Sequence, residues 1–91
     1  LQFNRNFFEV HYNLGLLSLE LGEYRAAEAA LRTYLNARPE HSRNGAAWRA
    51  LALAQHHQQQ VAAAENSLAV ALKLDPRDAE AWNTLGLVRL Q

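Results

Sequence analysis

The chain has 91 residues, nine Lys plus Arg against nine Asp plus Glu, and no cysteine, which fits at most one modest domain, smaller than most independent enzymes. Zero formal net charge gives no draw toward nucleic-acid phosphates or acidic membranes, and the lack of cysteine removes disulfides and thiolate metal sites. No run approaches the roughly twenty apolar residues needed to cross a bilayer. The compartment stays open, with a soluble, cytoplasmic setting as the expectation.

Taken in chain order, residues 1–7 carry no pattern, and good helix formers then predict helices at 8–21, 24–37, 45–58, 61–74 and 79–91. In the first, Val10, Leu14, Leu17 and Leu21 recur at helical spacing. The break before the second is "LGEY", where Gly22 supplies the left-handed conformation that closes a helix. The second carries Ala26, Ala27 and Ala30 beside Leu31 and Leu35, small enough for close backbone approach, and ends before Pro39. A link with three additional residues around Ser42, Arg43 and Asn44 leads to the third, where Asn44 is a candidate cap and Ala47, Leu51 and Ala54 repeat the stripe. "HQQQV" reads as a less distinct turn. The fourth repeats the small residues with Ala63, Ala64 and Ala71 beside Leu68 and Leu72, and ends before Pro76. Asp78 is the candidate cap of the fifth, whose stripe is Ala81, Leu85 and Val88. Each stripe is expected to face the partner helix of its own hairpin.

The pattern recurs. Trp48, Leu51 and Leu53 match Trp82, Leu85 and Leu87 at a spacing of 34, and "FEVHYNLGLLSLE" falls into the same frame when three residues are allowed for the longer link. The three copies read His11, Leu14, Gly15, Ala27, Leu31, Pro39; Trp48, Leu51, Ala52, Ala64, Leu68, Pro76; and Trp82, Leu85, Gly86. This unit resembles the tetratricopeptide repeat. The resemblance implies an all-α, right-handed solenoid: a flank at 1–7, one repeat at 8–44, a second at 45–78, and at 79–91 the first helix of a third or a capping helix. An unfinished last copy suggests a piece of a longer chain. Ser18, Gln55 and Arg89 stand where the family usually has an aromatic residue, so packing there should differ.

A second row runs along the odd helices: Tyr12, Leu16 and Leu19; Arg49, Leu53 and His56; Asn83, Leu87 and Leu90. Each lies two residues after a stripe residue, about 200° around the helix. The resemblance implies that the first helix of each repeat lines the concave side, so these nine residues are expected to pave a groove for an apolar peptide or an amphipathic helix. The partner is then a protein or peptide, with no nucleic acid and no membrane. The alternative is a structural spacer, or an accessory domain of a larger protein, with the groove filled by its own chain, including Leu1, Phe3 and Phe7. Some family members grip acidic chaperone tails with Lys and Asn on this side. Here those places hold Tyr12 and Leu16, then Arg49, Ala50 and Leu53, then Asn83, Thr84 and Leu87. Only Arg49 and Asn83 suit a carboxylate, and no affinity for such tails is expected.

Chemistry is not suggested. His56 and His57 are adjacent and diverge by about 100° on a helix, His41 falls in the link, and His11 stands where the other copies have Trp. No metal, cofactor or catalytic group is expected, and the chain reads as a non-enzyme. Arg25, Glu28, Arg32, Glu65 and Lys73 read as a solvated face. Self-association is expected through the terminal helix, whose Ala81, Leu85 and Val88 should be covered on one side only.

Overall fold

The structure is a computed structural model that describes residues 3–37 and 44–90, with the side chains of 9–36 and 45–90. Five helices follow one another: α1 (Phe3–Glu20), α2 (Tyr24–Ala37), α3 (Asn44–His57), α4 (Val61–Leu74) and α5 (Ala79–Arg89). The boundaries fall close to those expected from the sequence, except that α1 starts five residues earlier and takes in part of the unpatterned flank. Pro39, His41, Ser42 and Arg43, and the side chains of Phe3, Phe7 and Asn44, lie outside the described residues, as do Leu1 and Gln91.

Helices α1 and α2 form one antiparallel hairpin, α3 and α4 a second, and α5 packs on both helices of the second. The odd helices touch in succession, α1 on α3 and α3 on α5, whereas among the described residues α2 and α4 do not meet. The odd helices therefore form the inner layer of a curved stack 46 × 27 × 18 Å, its least dimension that of two helix layers.

Both hairpin turns have the same construction. After α1, the Glu23 N–H donates to Ser18 O (2.8 Å) and Gly22 takes φ +80°. After α3, the Gln60 N–H donates to Gln55 O (2.9 Å) and Gln59 takes φ +64°. These bonds satisfy carbonyls that a helix end leaves open, and they require a left-handed residue in the middle. The less distinct sequence of the second turn thus hides the same turn, made with a glutamine. Asp78 caps α5 as its chemistry suggests, its side chain accepting from the Ala81 N–H at 3.2 Å.

Two apolar clusters hold the stack. Leu31, Tyr34 and Leu35 of α2 pack with Ala47, Ala50 and Leu51 of α3, and Ala64 and Leu68 of α4 pack with Ala52 of α3 and Ala81, Leu85 and Val88 of α5. Leu31, Leu51, Leu68 and Val88 are fully buried, each contributing about 1.5–3 kcal/mol. Hence the stripe of an odd helix faces the second helix of the preceding hairpin, and not its own hairpin partner as the periodicity alone suggested. Two further expectations change with it. Val10, Leu14, Leu17 and Leu21 are exposed, because among the described residues no helix precedes α1. Ala81, Leu85 and Val88, expected to be open on one side, are buried, because α4 supplies their cover. The large apolar residues left exposed on α5 and at its C-cap are Trp82, Leu87 and Leu90.

Within each hairpin the contact is made by other residues. Gly15 packs so closely on α2 that a Cβ there would lie 2.6 Å from Leu31 Cγ. One turn on, Ser18 is buried where the family has an aromatic ring, and its counterpart Gln55, also buried, accepts a hydrogen bond from the Ser67 hydroxyl at 2.7 Å. The departure is accommodated by a satisfied polar pair inside the second hairpin.

The Glu28–Arg32 pair forms at 2.9 Å along α2, and Arg89 approaches Glu65 at 3.6 Å between α5 and α4. Glu28 is less solvated than expected. Gln58 donates to its carboxylate at 2.8 Å and to Tyr24 O at 3.4 Å, tying the second hairpin to the first.

Candidate functional site

The expected groove lies on the inner layer, where α1, α3 and α5 run side by side. Its centre is an open cavity of about 350 Å³ lined by Leu16 and Leu19 from α1, Arg49, Ala50 and Leu53 from α3, and Glu80, Asn83 and Thr84 from α5. Helix periodicity explains why these residues meet. Leu53 lies two positions after Leu51, so when Leu51 is buried against α2, Leu53 emerges on the opposite side of α3. Leu53 is half-buried and Leu16 is 36% exposed.

Five of the nine groove residues expected from the sequence, Leu16, Leu19, Arg49, Leu53 and Asn83, share this cavity. The other four do not line it. Tyr12 is half-buried, its ring 5.2 Å from that of Tyr34 at a tilt of 34°. His56 is half-buried and tilted against His57, with its Nδ1 buried and without a hydrogen-bond partner among the described residues. Leu87 is 52% exposed beyond the cavity, and Leu90 lies past the last turn of α5, 83% exposed. The leucine ladder therefore converges at its first two rungs, while the third stands apart.

Glu80 was not among the expected residues, and it changes the electrostatics. Arg49 pairs with Asp78 and, at 3.3 Å, with Glu80, so its guanidinium bridges two carboxylates at the start of α5. Arg49 is thus committed to its neighbours, which leaves little to hold a peptide carboxylate. The signal for this was present in sequence: Asp78 caps α5 and fixes the first turn that carries Glu80. That the turn lies against Arg49 depends on the packing of α5 on α3, which no local pattern reports.

Arg49 also forms the boundary of a second, larger cavity of about 600 Å³. Its walls are Tyr12, Tyr34, Glu9, Asn13, Gly45, Ala46, Asp75 and Asp78. Among the described residues no group of three His, Asp or Glu could hold a metal ion, and no helix is long and apolar enough to cross a membrane. His57 stacks on Tyr24 (4.3 Å, 11°) and so serves the turn region.

Residues 8–41, a stretch that begins inside α1 and takes in all of α2, match the tetratricopeptide repeat family. That stretch, a little over a third of the chain, is similar to one tetratricopeptide repeat. The second hairpin follows with the same turn, and α5 with the same stripe. No curated protein matches the chain. Tetratricopeptide repeats generally mediate protein–protein interaction or scaffolding, and a groove walled by leucine side chains and edged with charge suits that class.

Proposed function

We propose that the chain is a non-catalytic recognition module whose inner groove binds an apolar segment of a protein partner, as an extended peptide or an amphipathic helix. The observation that carries this reading is the meeting of Leu16, Leu19 and Leu53 in one open cavity, while the stripe two residues earlier on α3 is already buried in the core. Leucine left accessible in a concavity is available to a ligand, and burying one such side chain is worth about 1.5–3 kcal/mol. The polar edge of Arg49, Glu80, Asn83 and Thr84 would orient the segment.

The test is selection of random dodecapeptides displayed on phage against the chain, with the recovered peptides re-measured on a folded Leu53→Asp variant. The reading expects peptides rich in apolar residues whose binding weakens at least tenfold on the variant. Recovery only of peptides indifferent to Leu53→Asp would overturn it.

A further inference from the structure

The two ends of the stack are closed differently. At one end the stripe of α5, where self-association was expected from the sequence, is buried by α4. At the other, Val10, Leu14, Leu17 and Leu21 are 57%, 48%, 51% and 64% exposed. Their spacing of four, three and four residues keeps them on one seam of α1, and Leu21 holds its register because its N–H still donates to Leu17 O at 3.0 Å. Phe3 and Phe7 continue the same spacing in the sequence.

The size of these residues indicates what the seam fits. On α3 the places of Val10 and Leu17 hold Ala47 and Ala54, both fully buried. Leu31, Tyr34 and Leu35 of α2 pack beside Ala47 and Leu51, so alanine makes room there for large side chains from the covering helix. A helix built like α2 would meet valine and leucine on α1 instead and be held off by their bulk. A seam of large residues suits another of the same kind, each side chain seating between those of its partner. The residues flanking the seam are His11, Asn13, Ser18 and Glu20, with one carboxylate among them, so bringing two copies together adds little like charge to the contact.

We propose that α1 pairs with α1 of a second copy through Val10, Leu14, Leu17 and Leu21, giving a symmetric dimer. The same patch on both copies closes the assembly at two. The inference is independent of the groove, because Leu16 lies on a different face of α1. Four half-exposed side chains offer less than the roughly 800 Å² per partner of a standard complex, so the pairing is weak, with a Kd of about 10–100 µM.

Sedimentation equilibrium of the chain from about 1 µM to 1 mM tests it. The mass should be that of one copy at the dilute end, rise with concentration and level at two. Leu17→Asp should weaken association at least tenfold while leaving the thermal melt of the dilute chain unchanged. Leu87→Asp, at an equally exposed leucine of α5, should leave association as it is in the parent. A single copy throughout the range overturns the inference and leaves the seam to some other segment. Growth beyond two copies overturns it in favour of head-to-tail contact, and so does association that survives Leu17→Asp or is lost with Leu87→Asp.

Discussion

Leu14 on α1 and Leu51 on α3 occupy the same place in successive copies of the repeat, yet Leu14 is 48% exposed and Leu51 only 2%. The residues are identical and so is their position in the stripe. The difference is α2, which covers Leu51 and has no counterpart before α1 among the described residues. Periodicity thus tells which residues share a face of a helix, but whether that face is core depends on a neighbour elsewhere in the chain. The same contrast explains α5, whose stripe is buried by α4 although nothing in its own pattern differs from that of α1.

The widest expected separation comes from truncating the two leucines. Leu51→Ala should lower stability by about 2–5 kcal/mol, the range for a buried leucine, and Leu14→Ala should stay within about 0.5 kcal/mol, as urea midpoints at constant slope will report. A large loss at Leu14 would mean that this stripe is covered in solution.

Gly15 and Gly86 sharpen the comparison at a second pair of equivalent places. A Cβ at Gly15 would meet Leu31 at 2.6 and 2.8 Å inside the core, whereas one at Gly86 would meet nothing within 4 Å. Gly15→Ala should cost about 1–3 kcal/mol through overpacking. Gly86→Ala should instead raise stability by up to about 1 kcal/mol, because alanine is the better helix former. Thermal melts of the two variants should move in opposite directions.

The two turns give a smaller contrast. Gln59 holds φ +64° where the first turn has Gly22 at +80°, and a non-glycine residue in that region costs about 1 kcal/mol. Gln59→Gly should raise the melting temperature, and Gly22→Gln should lower it by a comparable amount. Equal melting temperatures for Gln59→Gly and the parent would contradict the shared turn geometry.

Least in size is a pH effect at the bridge between the hairpins. Burial pushes the Glu28 carboxyl up, but the hydrogen bonds from Gln58 and Arg32, together with the Arg32 charge, outweigh it and hold the group below its ordinary value of 4.5. A carboxyl whose folded pKa is lowered contributes stability that is full above the unfolded value and is lost as pH falls through the folded one. Parent and Glu28→Gln should therefore differ in stability above about pH 4.5 and converge in more acidic solution. A difference that persists unchanged at low pH would show that the carboxylate charge is not involved.

Much of this architecture was legible in the sequence, for identifiable reasons. Pro39 and Pro76, the small residues of α2 and α4 and the stripe of α3 are local signals, and they located the helices to within a few residues at most boundaries. Asp78 was readable as a cap because capping depends only on nearby backbone. What was not legible required the third dimension. The stripes point to the preceding hairpin, Gln59 makes a glycine's turn, and Glu80 crosses to Arg49. The groove shows the same division. Leu16 and Leu53 were readable as a ladder, but Leu87 stands apart from the cavity they share, to which α5 contributes Glu80, Asn83 and Thr84 instead.

The most direct test of the claim that α3 carries a core face and an accessible face is the pair Leu51→Asp and Leu53→Asp, followed by urea unfolding. Leu51→Asp places a charge in a site closed by α2 and should unfold the chain or remove most of its stability, whereas Leu53→Asp places one at an open cavity and should leave a cooperative transition with only a small shift. If Leu53→Asp melts the stack as severely as Leu51→Asp, both faces are core and the groove described here does not exist.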